Sequence, residues 1–525
     1  MTFDLASLRE GWDFEAKLAG GRDGLGAVPA SFFESYSAMA NTDGGTIVLG
    51  ARERSDGLFE VAGIVEIDRV EQDLWNQLDN RQKVSANVLR RQDVRREVVD
   101  GHTLLVIDVP RAERRARPVF LNGNPLLAWR RSGEGDRRCS EAEVRRMLAD
   151  ASDEPVDGQI LEGFGIDDLD HETVAAWRNR FSARSPDHPF LAVDLPQMLQ
   201  KIGAWRRDRR SGVEGLTVAG LLMFGQERAI LDRFPSYQLD YRHLADDPAQ
   251  RWIDRVTNDG TWSGNVFDFY RKVFPRLTDD LRVPFGLNEA MQRVDTTPVR
   301  EALRESLLNA LIHADYSGTR GIRIFRRRGG YELVNPGTLR VRWNEARSGN
   351  ASDPRNPSLQ KLFQLLGLGE RAGSGVPRIL QAWRDQHWRP PELFEDFDNN
   401  ETRLVLSIES LLPEATVAEL DARFGQRFRA LSEAGRIAVV TAAAEGRVSN
   451  RRLQEVLDEH PRDLTYLLGD LVREGLLRPH GERSGRWYSL AEGYGAPHQA
   501  SLFDAVAVDE SATLQGSESS LHSGS

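Results

Sequence analysis

The segment from Thr297 to His313 carries the residues best spaced to do chemistry: Glu301, Glu305, Asn309 and His313 recur every four positions. On a helix that spacing puts them on one face, so Glu305 and Asn309 point into a shared space. There a carboxylate can orient or deprotonate a water, and an amide carbonyl can ligate magnesium. Alone, such a face is most often the wet side of an amphipathic helix, with Val299, Leu303, Leu307 and Leu311 as the apolar stripe opposite. Two further signals follow in order. Strand-like Tyr331–Val334 runs into Asn335-Pro336-Gly337, which sets an amide side chain beside backbone donors. Gly373-Ser374-Gly375 permits close backbone approach, and the helix that can start there suits phosphate at its N-terminus. A second group lies near the start of the chain, where Glu10, Glu15 and Lys17 fall within eight positions and Glu53 follows Gly50. Converging acids beside a lysine can hold a divalent ion and stabilise a phosphoryl transition state. The plainer alternative is a surface ion pair between Glu15 and Lys17, which share one face of an extended strand.

The elements that must position these groups are α/β in pattern. Over 1–150 a helix around Phe32–Asn41 precedes a Gly-Gly break and a strand, Thr46–Leu49. Strands are expected at Thr103–Val109 and Leu126–Arg130, and a helix at Ser140–Leu148 with Ser140 as its cap. A polar joint at 151–156 leads into a connecting region, 157–290, with amphipathic helices and the apolar run Thr217–Phe224. Residues 291–410 open with the Thr297 helix and alternate strands with glycine-rich turns. Over 425–490, helices near Glu433–Glu445, Ser449–His460 and Asp463–Gly475 precede a β-like end, Leu476–Leu490, which is the pattern of a winged helix. From 495 to 525 pattern is lost and a disordered tail is expected. There are no internal repeats.

The chain has 525 residues, 69 Lys+Arg against 80 Asp+Glu, and one Cys. At roughly 100–200 residues per domain this is a multidomain protein with ample core. A single Cys excludes a disulfide framework and a cysteine zinc site, and fits a reducing compartment. The longest apolar stretch, Leu216–Phe224, is too short to span a membrane, and Met1–Glu10 has no signal-peptide pattern, so a cytoplasmic protein is expected. The net charge of -11 argues mildly against indiscriminate nucleic-acid binding. Arginines nevertheless cluster at 90–96, 111–117, 130–138 and 206–210, which offers phosphate-binding forks or else solvated faces paired with nearby acids.

Taken together, Arg300-Glu-Ala-Leu303, Asn309-Ala310, His313-Ala-Asp-Tyr316, Asn335-Pro-Gly337, Arg355-Asn-Pro357 and Glu370-Arg-Ala-Gly-Ser-Gly375 resemble the ATP-binding fold of gyrase, histidine kinases and MutL (GHKL). The nearer likeness is a divergent branch labelled RecG-like C-terminal or divergent AAA. That resemblance implies a central α/β sandwich in which Asn309 holds magnesium, Glu305 activates water, and Asn335 and Gly337 face adenine. It also implies that Gly373, Ser374 and Gly375 line the phosphates, with His313 in the same motif set. Asn335 stands where an Asp is usual, so acceptance from adenine loses its charge-assisted strength. There is no Gly-x4-Gly-Lys-Ser/Thr loop, and helicase activity is not implied.

Glu15-Ala-Lys17, Ala40-Asn-Thr-Asp-Gly-Gly45, Leu49-Gly50, Arg117-Pro-Val119 and Trp129-Arg130 resemble the Schlafen AlbA-type domain over 8 to about 150. This domain is described as a DNA- or RNA-binding module. Its animal relatives cleave tRNA and rRNA with three acids and a divalent ion, magnesium or manganese. By that resemblance Glu10, Glu15 and Glu53 are the acids, with Glu53 where an Asp is expected, and Lys17 lies beside them.

Three functions follow. The leading one is an ATP-binding, nucleic-acid-binding regulator, in transcription or anti-phage defence, in which nucleotide alters the placement of the N-terminal and winged-helix modules. The second is a metal-dependent nuclease acting on tRNA or DNA. The third is an interaction scaffold with a vestigial nucleotide site. A nucleotide-linked homo-oligomer is expected by analogy with the central fold.

Overall fold

The computed structural model describes residues 13–491 except 22, 55–58, 134, 248, 280, 282–296, 350, 370–372, 387, 412, 458 and 482–485. Glu10, Glu370 and the expected tail, 495–525, lie outside the described residues.

The N-terminal part is built from β1 (Phe14–Lys17), α1 (Ala30–Asn41), β2 (Gly44–Leu49), β3 (Ala51–Glu53), β4 (Phe59–Val61), α2 (Ile67–Asp79), β5 (Val94–Val99), β6 (His102–Pro110), β7 (Trp129–Ser132), β8 (Gly135–Arg138) and α3 (Glu141–Ala151). One sheet has the order β1-β2-β6-β5, with β1 parallel to β2 and the rest antiparallel. Leu104, Leu105, Val106 and Ile107 are all fully buried, so β6 is covered on both faces. Leu105 and Ile107 join the core with α1 and α2, while Leu104 and Val106 meet Phe14 and Val48 on the other side. Asn41, at the end of α1, is a buried clamp: its amide donates to the carbonyls of Val119 (2.8 Å) and Trp129 (2.9 Å) and accepts from the Val119 N–H (2.7 Å). The Ala40–Gly45 motif therefore ties α1 to β7, and Gly44 takes φ +86, where a Cβ would strike the Val109 carbonyl at 2.6 Å. Ser140 caps α3, as its sequence predicts, and the structure adds a capping box with Glu143. The expected strand Leu126–Arg130 starts later, at Trp129. Asn124 accepts from the Leu126 N–H, and with Pro125 it makes a 3-10 turn first.

The central part comprises α4 (His171–Arg184), α5 (Leu195–Ile202), β9 (Trp205–Arg207), β10 (Glu214–Leu216), α6 (Val218–Phe224), α7 (Glu227–Arg233), β11 (Leu239–His243), β12 (Asp254–Thr257), α8 (Val266–Thr278), α9 (Pro298–His313), β13 (Ile322–Arg327), β14 (Gly330–Pro336), α10 (Trp343–Arg347), α11 (Pro357–Leu365), α12 (Gly375–Asp385), β15 (Glu392–Asp396) and β16 (Glu401–Ser407). Six strands form a mixed sheet in the order β12-β11-β13-β14-β16-β15, with β11 and β13 parallel. The expected connecting region supplies β11, β12 and α8, and one hydrophobic core runs from Leu161 to Leu406 across both segments. Thr297 caps α9 and Pro298 opens it; Val299, Leu303, Leu307 and Leu311 are fully buried, so the apolar stripe faces the core. Helix α9 lies over β14 between α8 and α12. The apolar run after Thr217 is a short, wholly buried helix, α6, capped by the Thr217 hydroxyl.

After β16 come α13 (Glu414–Phe424), α14 (Gln426–Arg429), α15 (Glu433–Glu445), α16 (Asn450–Val456), α17 (Pro461–Arg473), and an antiparallel pair, β17 (Leu477–His480) and β18 (Trp487–Leu490). These elements share a separate core that includes Phe428, Val440, Leu453, Leu464, Leu468 and Leu490.

Candidate functional site

The hydrophilic face of α9 opens into a cleft that encloses about 1190 Å³ of empty space, its open mouth included. Glu305, Asn309 and His313 line it from α9, Asn335 from β14, Thr402 from β16, and Gly373 and Gly375 from the start of α12. Spacing along α9 brings the first three together, but tertiary structure adds the rest. Asn335 and Thr402 are register partners across the β14–β16 ladder, and the Thr402 hydroxyl donates to the Gly337 carbonyl (2.7 Å). Gly375 packs against the Glu305 carboxylate, where a Cβ would collide. Gly373, at φ +83, lies against the Gly349 backbone with no room for a side chain. Ser374 is the N-cap of α12 and makes no side-chain capping bond.

The cleft is lined by an apolar set, Leu333, Leu339, Val341, Trp343 and Leu404, together with a polar set, Glu305, Asn309, Asn335 and Thr402, and the glycine loop. This lining suits a planar heterocycle with a polyphosphate tail: apolar side chains with an amide and a hydroxyl for the ring, a helix N-terminus and glycine backbone for the phosphates. Asn309 and Glu305 are oxygen donors one turn apart, which suits magnesium. Gly337 itself sits behind the wall at φ +100, beneath the Arg355 guanidinium, which a Cβ would meet at 3.0 Å.

Several motif residues brace the cleft: Asn356 and Tyr316 from behind its lining, and Arg355 from within it. The Asn356 amide donates to the carbonyls of Ile312 (2.9 Å) and Ala314 (2.7 Å) and so closes the end of α9. The Tyr316 hydroxyl donates to the Leu311 carbonyl (2.8 Å), and Arg355 donates to the His313 carbonyl (3.2 Å). Burial, with Arg355 and Arg340 nearby, pushes the His313 imidazole down to about 4, so it is neutral at pH 7.

The 338–355 segment, which sequence reasoning missed as a wall, borders the cleft with Thr338, Leu339, Arg340 and Arg355. Its other side grips the N-terminal part. Arg355 and Arg340 (3.1 Å) both bind Asp150 on α3. Arg114 pairs with Asp353 (2.6 Å), and Arg111 donates to the Leu339 carbonyl (2.8 Å). Arg111 also pairs with Glu395 and with Asp43 (3.1 Å); the Arg111 and Glu395 side chains are only 6% and 8% exposed. No local signal marks these partners, because they lie between 68 and 284 positions away in the chain.

This network favours the second of the two readings of the N-terminal arginine clusters, faces paired with acids. Arg130 and Arg137 bind Glu143 and approach Asp398, Arg131 binds Glu15 and Asp136, Arg95 binds Asp108, and Arg96 binds Asp68 and Glu71. Guanidinium groups beside carboxylates take them as partners rather than stand bare. In the C-terminal part Arg452 likewise pairs with Glu445 (2.8 Å).

Of the expected acidic group, Glu15 and Glu53 fall among the described residues. Glu15 on β1 is held by Lys17 (2.9 Å) and Arg131 (2.8 Å). Glu53 ends β3, in a separate two-stranded ribbon with β4, and is exposed. Among the described residues no group of three His, Cys, Asp or Glu is arranged to hold a metal ion. Among them, too, no helix is long and apolar enough to cross a membrane.

Residues 13–140 match the family described as Schlafen, AlbA_2, and residues 320–406 the family described as putative ATP-dependent DNA helicase recG C-terminal. A third match, over 145–240, is to a domain of unknown function. The chain thus joins a Schlafen AlbA-type domain to an ATPase-like domain of the RecG C-terminal kind. No curated protein matches it. Among solved structures, the DIP2311 protein from Corynebacterium diphtheriae is 19% identical, with 91% of this chain and 95% of that one covered at a TM-score of 0.38. The N-terminal domain of a putative ATP-dependent DNA helicase RecG-related protein from Nitrosomonas europaea is 31% identical, over 26% of this chain and 88% of that one, at a TM-score of 0.20. At those scores the likenesses carry no structural inference. A nucleotide- and nucleic-acid-related function follows from the two matched domains.

Proposed function

We propose that the protein is an ATP-binding, nucleic-acid-binding regulator, acting in transcription or anti-phage defence. The observation that carries this reading is the double duty of 338–355, which walls the cleft on one side and holds α3 and Arg111 on the other. A nucleotide seated there presses on the same residues that position the N-terminal part. Asn335 and Thr402 would orient adenine, the backbone at Gly373 and Gly375 would take phosphates, and Asn309 would hold magnesium. Bound magnesium supplies charge neutralisation at the phosphates. Glu305, whose carboxylate lies against Gly375, would orient a water beside the phosphates. The C-terminal helices and β-pair, read as a winged helix, form a second nucleic-acid or protein contact, and nucleotide-linked dimerisation belongs to the same reading.

Calorimetric titration with a non-hydrolysable ATP analogue and magnesium tests this, run beside native-gel shifts of DNA and RNA with and without nucleotide. The reading requires saturable nucleotide binding lost in Asn309→Ala, and a nucleic-acid affinity that changes with nucleotide. Absence of both leaves the interaction scaffold. Cleavage of tRNA or DNA with magnesium or manganese, lost in Glu15→Ala, would make the protein a nuclease instead.

A further inference from the structure

One arginine cluster is not consumed by ion pairs. Arg206, Arg207, Arg209 and Arg210 belong to the hairpin of β9 and β10, whose register pairs Arg207 with Glu214 and Trp205 with Leu216. Arg206, Arg207, Arg209 and Arg210 are exposed, and among the described residues none has a carboxylate within salt-bridge distance. Arg206 donates only to the Gly158 carbonyl (3.2 Å). The tip is held firmly: the Asp208 N–H donates to the Val213 carbonyl (2.7 Å) and the Gly212 N–H to the Asp208 carbonyl (2.9 Å). The Asp208 carboxylate folds back to accept from the Arg210 N–H (2.9 Å) and the Ser211 hydroxyl (2.7 Å). That carboxylate is spent on the turn, and the guanidinium groups face outward on a stiff ribbon.

Beneath the hairpin runs an open groove lined by Gln200, Arg206, Arg207, Arg209, Ser358 and Lys361. Lys361, on α11, is exposed on its far wall. In a chain whose net charge is -11, a ribbon and groove with five cations against Asp208 and Glu214 is a local reversal of sign. Arginine forks bind phosphate oxygens bidentately, and a two-stranded ribbon is the width that the major groove of B-form DNA admits. The A-form groove of duplex RNA is too deep and narrow for it. We propose that the β9–β10 hairpin and the Lys361 groove dock the phosphate backbone of duplex DNA. This rests on the nucleic-acid-binding reading above and gives it a surface. Gln360 lines the nucleotide cleft and Lys361 the basic groove, so consecutive residues of α11 face the two sites.

The test is fluorescence anisotropy of a labelled 20-bp duplex with the full chain across a salt series. Parent, the triple variant Arg207→Glu/Arg209→Glu/Arg210→Glu, Lys361→Glu, and a control Arg90→Glu/Arg91→Glu on the N-terminal surface would be compared. Circular dichroism melting would confirm that the exposed substitutions leave the fold intact. The expected result is a tenfold or greater loss of DNA affinity in the triple variant and a smaller loss in Lys361→Glu. The slope of log affinity against log salt should also flatten by about 2–3 in the triple variant, at ~0.9 per phosphate contact. Parent-like affinity in the triple variant overturns the hairpin surface while leaving the protein a nucleic-acid binder. Tighter binding of duplex RNA than DNA, equally weakened by the triple variant, overturns the choice of DNA. A parent chain that shifts no nucleic acid overturns both this surface and the reading it rests on.

Discussion

Arg111 shows how far a single residue's role can depart from its local sequence. It sits in a basic run, yet its guanidinium is buried against Glu395 and Asp43 and bonds the Leu339 carbonyl. Removing it strands a buried carboxylate, which costs about 3–5 kcal/mol. Arg111→Ala should therefore lower the urea midpoint sharply, and Glu395→Ala added to it should cost much less than the two changes summed. Two buried titratable groups give a second expectation. The His313 imidazole is held down to about 4, so the unfolded chain takes up that proton first and stability falls as pH drops from about 6.5 to 4. The Asp157 carboxyl, buried beneath the start of α11 where it accepts from the Leu359 N–H (2.8 Å), is pushed up to about 6. The unfolded chain loses that proton first, so its contribution falls as pH rises from about 4 to 6. The two oppose each other over one interval. Melting temperatures at pH 4.5 and 6.5 should show His313→Asn shifting the balance towards low pH, and Asp157→Asn towards high pH, relative to the parent.

Among the elements, helix α9 and the glycine turn before α12 divide the work of the cleft. A Cβ at Gly373 meets the Gly349 backbone at a positive φ, so Gly373→Ala strains the turn itself and should cost about 1–3 kcal/mol of stability. At Gly375 the obstacle is the Glu305 carboxylate, the end of a side chain that can move. Gly375→Ala should leave the melting temperature within a few degrees of the parent. It should still weaken nucleotide binding about tenfold or slow any turnover, read by calorimetry and phosphate release. The α9 stripe, the Ser140 cap and the span Glu433–Glu445 were legible because periodicity and caps are local. Leu126–Arg130 was misread because its apolar residues looked like a strand while Asn124 and Pro125 set a turn. The pairing of Asn335 with Thr402 was illegible for a different reason, since ladder register is settled by residues far apart in the chain.

At the scale of the whole molecule, the cleft and the N-terminal part meet through Asp150, which Arg340 and Arg355 both hold. Cutting that tie should separate two readouts. Asp150→Ala should bind nucleotide within about threefold of the parent, because Asp150 does not line the cleft. Any change in nucleic-acid affinity that nucleotide produces in the parent should shrink or vanish in this variant, on native gels run with and without nucleotide.

The sequence by itself determined the two matched domains, the helix that carries Glu305, Asn309 and His313, and the order of the three cleft signals. Those depend on residue type and on spacings of a few positions, which the chain displays directly. Tertiary structure decided which of its charges remain available. Carboxylates near and far in the chain, among them Glu15, Asp43, Asp353 and Glu395, consume most of the N-terminal guanidinium groups, while the β9–β10 hairpin keeps its own facing solvent. A charge's neighbours are set by packing across the whole fold, and no window of sequence contains them.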